Sequence, residues 1–166
     1  MQRLPLACED SDRPRGELGR HARADDEHRG ARRCLTAADR LPSTAPVETH
    51  VWRLPHVQVN GLEQEPDGDI HLVVSDAQGR TMIAEFPNAA CLSGAQSAPR
   101  AAMTGARNEL VAAYGPPGPG FNRASGTVSL AGVGFFDVLH GQAGAARNGV
   151  ELHPALAFRV ETGAGR

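Results

Sequence analysis

The chain contains no lysine, and all 17 of its basic residues are arginine. Isoleucine is nearly absent as well, with only Ile70 and Ile83. An arginine-only surface of this origin is no sign of phosphate recognition by itself, although the guanidinium fork suits phosphate well. Aromatic residues make up 4% of the chain, so Val, Leu and Ala with a few Phe must build the core. Single-strand binders set aromatic platforms in a basic groove. One Trp, one Tyr, five Phe and a net charge of −2 therefore leave nucleic acid a disfavoured partner.

Cysteine is scarce too. Cys8, Cys34 and Cys91 match neither a zinc spacing nor a CxxC redox pair. Two of them fall in the N-terminal segment, so no disulfide framework is expected and Cys91 reads as a structural or loop thiol. No stretch approaches the roughly 20 apolar residues of a membrane span. The opening Met-Gln-Arg-Leu-Pro-Leu-Ala-Cys is too short for a signal-peptide core. As written, the chain reads as soluble and unexported.

Residues 1–45 hold nine arginines and eight acids with almost no apolar periodicity, which predicts a disordered Arg-rich tail. The pattern changes from Val47, and residues 46–162 read as one β-rich domain. Val51, Val57, Val59 and Leu62 mark a first strand, with Pro55 at an edge or a bulge. Pro66-Asp67-Gly68-Asp69 is turn chemistry. Ile70–Ser75 and Thr81–Phe86 are apolar, β-branched runs around Asp76-Ala77-Gln78-Gly79-Arg80, the signature of a hairpin. Helical spacing follows over Arg100–Tyr114, with Met103, Ala106, Leu110 and Ala113 on one face. Gly115–Gly120 ends it. Thr127–Val138 reads as a fourth strand. In a fifth, Val150, Leu152, Leu156 and Phe158 alternate with Glu151, His153, Ala155 and Arg159. The order β-β-β-α-β-β is that of a five-stranded OB-like barrel with one helix between strands three and four.

Polar residues concentrate in one part of that fold. Glu151 and His153 are two apart on a strand and share a face. The loop before them carries His140, Gln142, Arg147 and Asn148. The loop between strands one and two carries Glu65, Asp67 and Asp69, with His71 just inside strand two. The candidate ligand-binding residues are thus His71, His140, Gln142, Asn148, Glu151 and His153. Imidazole and carboxylate together suit a divalent metal such as zinc: the three histidines with Glu151 and Asp69 could form such a site, with His140, Glu151 and His153 the candidate metal ligands at the barrel mouth. The plainer alternative gives His71 and His153 hydrogen-bonded places in the barrel and lets His140 and Asn148 shape their loop.

Other motifs fail on physical grounds. An HNH finger needs a helix around its last histidine, and Pro154 with the strand pattern forbids one. Asp67-Gly68-Asp69 lacks the twelfth-position Glu of a calcium loop, since Gln78 stands there. Gly115–Gly120 has no Gly-Lys-Ser/Thr, and no GxSxG elbow is present.

The chain resembles a family of bacterial proteins of unassigned function, many of them exported. The shared residues are Asp67-Gly68-Asp69-Ile70-His71-Leu72-Val73, Thr81-Met82-Ile83-Ala84-Glu85 with Cys91, and Gly132-Val133-Gly134-Phe135-Phe136-Asp137. They continue through His140-Gly141-Gln142, Gly144 and Asn148-Gly149-Val150-Glu151-Leu152-His153-Pro154. The resemblance implies no particular activity. The expectation is an OB-like binding or interaction module with no assigned catalytic residue. Metal-dependent hydrolysis by the His/Glu cluster is the enzymatic alternative, and a structural or surface role without a small ligand is the third.

Overall fold

Period-two alternation of aliphatic and polar residues builds five long strands that close on one another. The computed structural model describes residues 47–139 and 141–165; the expected tail at 1–45 and His140 lie outside them. After a short 3-10 turn at Val47–Thr49 come β1 (Val51–Gln64), β2 (Ile70–Ser75) and β3 (Thr81–Phe86). The helix α1 (Ser97–Tyr114) follows, then a two-residue β4 (Asn122–Arg123), β5 (Ser125–Phe136) and β6 (Val150–Gly165). Pairing runs β2-β3-β6-β5-β1 and returns from β1 to β2, so the sheet is a closed barrel with β4 as an appendage on β1. β3 and β6 pair in parallel and the rest antiparallel. This is the expected five-stranded OB-like barrel with one helix between its third and fourth long strands.

Local chemistry explains the joints. Pro55 has no N–H to donate, and the β1–β5 register shifts between Leu54 and Val57 at this point, a bulge that lets β1 curl from one neighbour to the next. In the β2–β3 hairpin, Asp76 Oδ1 accepts from the backbone N–H groups of Gln78 and Arg80. Gly79 supplies the left-handed residue there, with φ 75°. The helix begins at Ser97, three residues before the expected Arg100, with Pro99 tolerated in its first turn. It buries Met103, Ala106, Leu110 and Tyr114, and the Gly115 N–H closes its end on the Val111 carbonyl.

Inward positions form one apolar core. Leu62, Leu72, Ala84 and Leu152 from four strands meet Leu54, Phe86, Leu110 and Phe158 there. The rings of Phe86 and Tyr114 both stand edge-on to Phe158. One inward position differs from the sequence pattern, because Ala155 is buried in place of Leu156. Gly132 pairs with Ala155 and Gly134 with Leu152, so β6 carries one extra residue around His153 and Pro154. Simple alternation misses that slip because a bulge changes the period locally.

Cys91 is disulfide-bonded, with its partner outside the described residues. This corrects the expectation of an unpaired loop thiol, since separation along the chain says nothing about distance in space. No helix among the described residues is long and apolar enough to cross a membrane.

Candidate metal centre

The hairpin register fixes the first part of the site. Glu63 pairs with His71 across β1 and β2, and His71 pairs with Glu85 across β2 and β3. Their neighbours Leu62, Leu72 and Ala84 are paired in the same way and point into the core. Alternation therefore puts the Glu63–His71–Glu85 row on the outward face of the same wall. β6 extends the row, because Ala84 pairs with Leu152 and Glu151 and His153 flank Leu152. The cluster thus lies on the outer wall of β1-β2-β3-β6, beside the β1–β2 loop. The expected position at the barrel mouth is corrected: inward positions on these strands are already filled by aliphatic side chains.

This outward face is nevertheless buried. Glu151 is 3% exposed and Glu85 7%. Loop 137–149 lies over the wall, where a Cβ on Gly144 would sit 2.2 Å from a methyl of Val73, the next outward residue after His71. Only glycine lets the loop backbone approach so closely, and Gly144 also holds φ 80°. The Phe135 ring meets the His153 ring edge-on at 5.2 Å.

Hydrogen bonds join these groups into a chain centred on Glu85. His71 Nε2 lies 2.9 Å from Glu85 Oε2, and His153 Nε2 lies 3.3 Å from Glu85 Oε1. His153 Nδ1 lies 2.9 Å from Glu151 Oε1. On the far side, His71 Nδ1 is 3.0 Å from Glu65 Oε1, an ion-pair distance without hydrogen-bond alignment. Asp69 enters from the β1–β2 loop and brings a carboxylate oxygen within 4.8 Å of one of Glu85. Its Oδ1 accepts the Asn88 N–H at 2.7 Å. Arg107 braces that corner by donating to the carbonyls of Phe86 and Gly68.

The electrostatics follow from crowding. Burial, then the neighbouring Glu85 carboxylate, raises Asp69 to about 7. Burial alone would raise Glu85 too, but the His71 hydrogen bond and the fields of His153 and His71 hold it at about 2. Burial would lower both imidazoles, yet their carboxylate partners win. Glu85 leads for His71 and Glu151 for His153, and each rises to about 9. Glu151 is pushed up by burial, which the His153 hydrogen bond only partly offsets. Without a cation, protons hold these carboxylates together.

Two groups of donors are close enough to share an ion. Asp69, Glu85 and His153 offer donor atoms within 4.8 Å of one another, and Glu63, Glu65 and His71 do the same. Of the residues singled out from sequence, Asp69, His71, Glu151 and His153 meet here, while His140 lies outside the described residues. Gln142 does not join them; its Nε2 donates to Asp137 Oδ2 and the Val138 carbonyl within its own loop. Asn148 is buried in that loop, where its Oδ1 accepts the Val150 N–H. Sequence reasoning did not single out Glu85, the hub. The signal was available: a hairpin pairing Ser75 with Thr81 must also pair His71 with Glu85. Comparison with family models, curated proteins and solved structures gives no match, so the functional reading rests on this geometry.

Proposed function

We propose that the protein is an OB-like binding module that holds a divalent cation on its outer wall through Asp69, Glu85 and His153. The observation that carries this reading is the carboxylate pair Asp69–Glu85 with His153 Nε2 directed at it. Two carboxylates pressed together need a proton or a cation between them, and a divalent ion replaces the proton with a stronger charge. Glu151 accepting from His153 Nδ1 leaves Nε2 as the free donor, the carboxylate–histidine arrangement that orients metal-bound imidazoles. His71 orients Glu85 in the same sense.

One imidazole with two carboxylates suits zinc or manganese better than magnesium or calcium, which prefer oxygen alone. Three protein ligands leave coordination positions for an anionic oxygen of a bound molecule. The bridged ligand would then be anionic, held by the ion against an otherwise acidic wall. The same open positions favour a second reading, metal-dependent hydrolysis of a phosphoester, in which one of them carries water.

Zinc titration of metal-free protein by calorimetry tests the reading. Wild-type protein should bind zinc at this site, His153→Ala and Glu85→Gln should each lose that one equivalent, and His56→Ala should keep it. Equal zinc binding by wild type and His153→Ala would sink the proposal. Turnover of bis(p-nitrophenyl) phosphate by zinc-loaded wild type, lost in His153→Ala, would separate hydrolase from binding module.

A further inference from the structure

We infer that the same wall carries a second divalent-cation site, formed by Glu63, Glu65 and His71. It extends the reading of the Asp69–Glu85–His153 site but uses none of its donors. Glu63 is the outward register partner of His71 near the end of β1, and Glu65 is the first residue beyond that strand. The three residues offer donor atoms within 4.8 Å of one another.

Acidic residues at a strand end are ordinary, and the argument turns on His71. It is 9% exposed, and its Nδ1 has no hydrogen-bond partner. A buried ring nitrogen without a hydrogen-bond partner is costly, and nearly all such atoms in folded proteins are satisfied. The nitrogen is aimed at the Glu65 carboxylate at 3.0 Å. Its alignment is wrong for an N–H donor, while the spacing leaves room for an ion held by both groups. The other ring nitrogen explains why. Nε2 lies 2.9 Å from Glu85 Oε2, and an ionised carboxylate can only accept. When an ion displaces the second proton, the ring keeps its remaining one on Nε2 and presents a lone pair on Nδ1, the form that ligates a metal. Glu63 makes no hydrogen bond or ion pair to the described residues and is free to complete the set.

The two sites are joined through a single hydrogen bond. Glu85 would ligate the first ion with one oxygen and accept from His71 with the other, so His71 orients Glu85 while binding the second ion itself. Glu63, Glu65, Asp69, Glu85 and Glu151 crowd one wall, and two divalent ions neutralise most of that charge. Two carboxylates and one imidazole, with water completing the shell, define a borderline-to-hard divalent site of the zinc or manganese class.

The test is zinc stoichiometry on the full metal-free chain, by dialysis equilibrium and elemental analysis, with circular dichroism to confirm folding. Wild type should bind one equivalent more than Glu63→Gln/Glu65→Gln, and also one more than His153→Ala. Glu65→Gln alone, at a partly exposed position, should weaken the second equivalent at least tenfold. In nitrogen-15 spectra, adding zinc should shift His71 Nδ1 in wild type and leave it in place in the double variant. Equal stoichiometry in wild type and the double variant, with an unmoved His71 Nδ1, would overturn the inference. Equal stoichiometry in wild type and His153→Ala would overturn the first site instead.

Discussion

The two faces of one strip of barrel wall obey opposite rules. Leu62, Leu72, Ala84 and Leu152 make the inner face, and each is fully buried among other apolar groups. One residue along, Glu63, His71, Glu85 and Glu151 make the outer face, and most of these are almost as deeply covered. Burial is similar, but what holds the groups there differs. The inner row gains from leaving water. The outer row loses hydration and recovers it only through partners that must be charged, aligned and correctly protonated. A period of two makes both faces from one stretch of sequence, so a change at one position should leave the other face's property intact.

The largest expected effect lies on the inner face. Leu72→Ala should cost about 2–5 kcal/mol, through lost transfer energy and the cavity left behind, as read by chemical denaturation. Under conditions where it is folded, zinc affinity should be close to wild type. A large loss of zinc affinity in folded Leu72→Ala would mean the faces are not separable. Next is Glu85→Gln, which removes the hub charge but keeps its shape. It should lower stability by about 1–3 kcal/mol without metal, since His71 and His153 lose their common partner, and it should abolish zinc binding at the Asp69–Glu85–His153 site.

pH should separate the faces without any substitution, because the inner row does not titrate. In the metal-free protein, His71 and His153 are raised from 6.5 to about 9. Their contribution is full below about 6.5 and lost as pH rises through about 9. Asp69, raised from 3.8 to about 7, pulls the same way, since its ionisation between those values disfavours the folded state. Glu85, lowered from 4.5 to about 2, contributes above about 4.5 and fades as pH falls toward 2. Thermal melts without metal should therefore show Tm falling from about pH 5 to pH 9, with a smaller slope in His153→Ala. A rising Tm over that range would break the account of the outer face. The smallest effect is expected at His56→Ala. Its pairing with Glu161 is on the exposed surface and should leave Tm almost unmoved, with zinc binding unchanged.

The inner face was the legible one. Its strands, the hairpin and the helix follow from apolar periodicity and turn residues, which act locally and leave a repeating trace in sequence. Glu151 with His153 was legible for the same reason, being two apart on one strand. Glu85 was not singled out because its importance comes from two other strands, and within its own strand it is one acid beside Phe86. Glu63 was equally silent, since its meaning depends on the β1–β2 register, whereas Glu65 was read only as a polar residue of the β1–β2 loop. The extra residue near Pro154 hid the shift from Leu156 to Ala155, because a bulge breaks the very period that was being read. The disulfide at Cys91 was missed because spacing rules describe local motifs only.

The central claim is that a divalent cation sits among Asp69, Glu85 and His153, and diffraction from zinc-soaked crystals measured at the zinc absorption edge tests it most directly. The account predicts an anomalous peak about 2.0–2.2 Å from His153 Nε2 and from a carboxylate oxygen of both Asp69 and Glu85. In the same map, Glu151 should still accept from His153 Nδ1. An absence of zinc density there, with His153 Nε2 still hydrogen-bonded to Glu85, would contradict it.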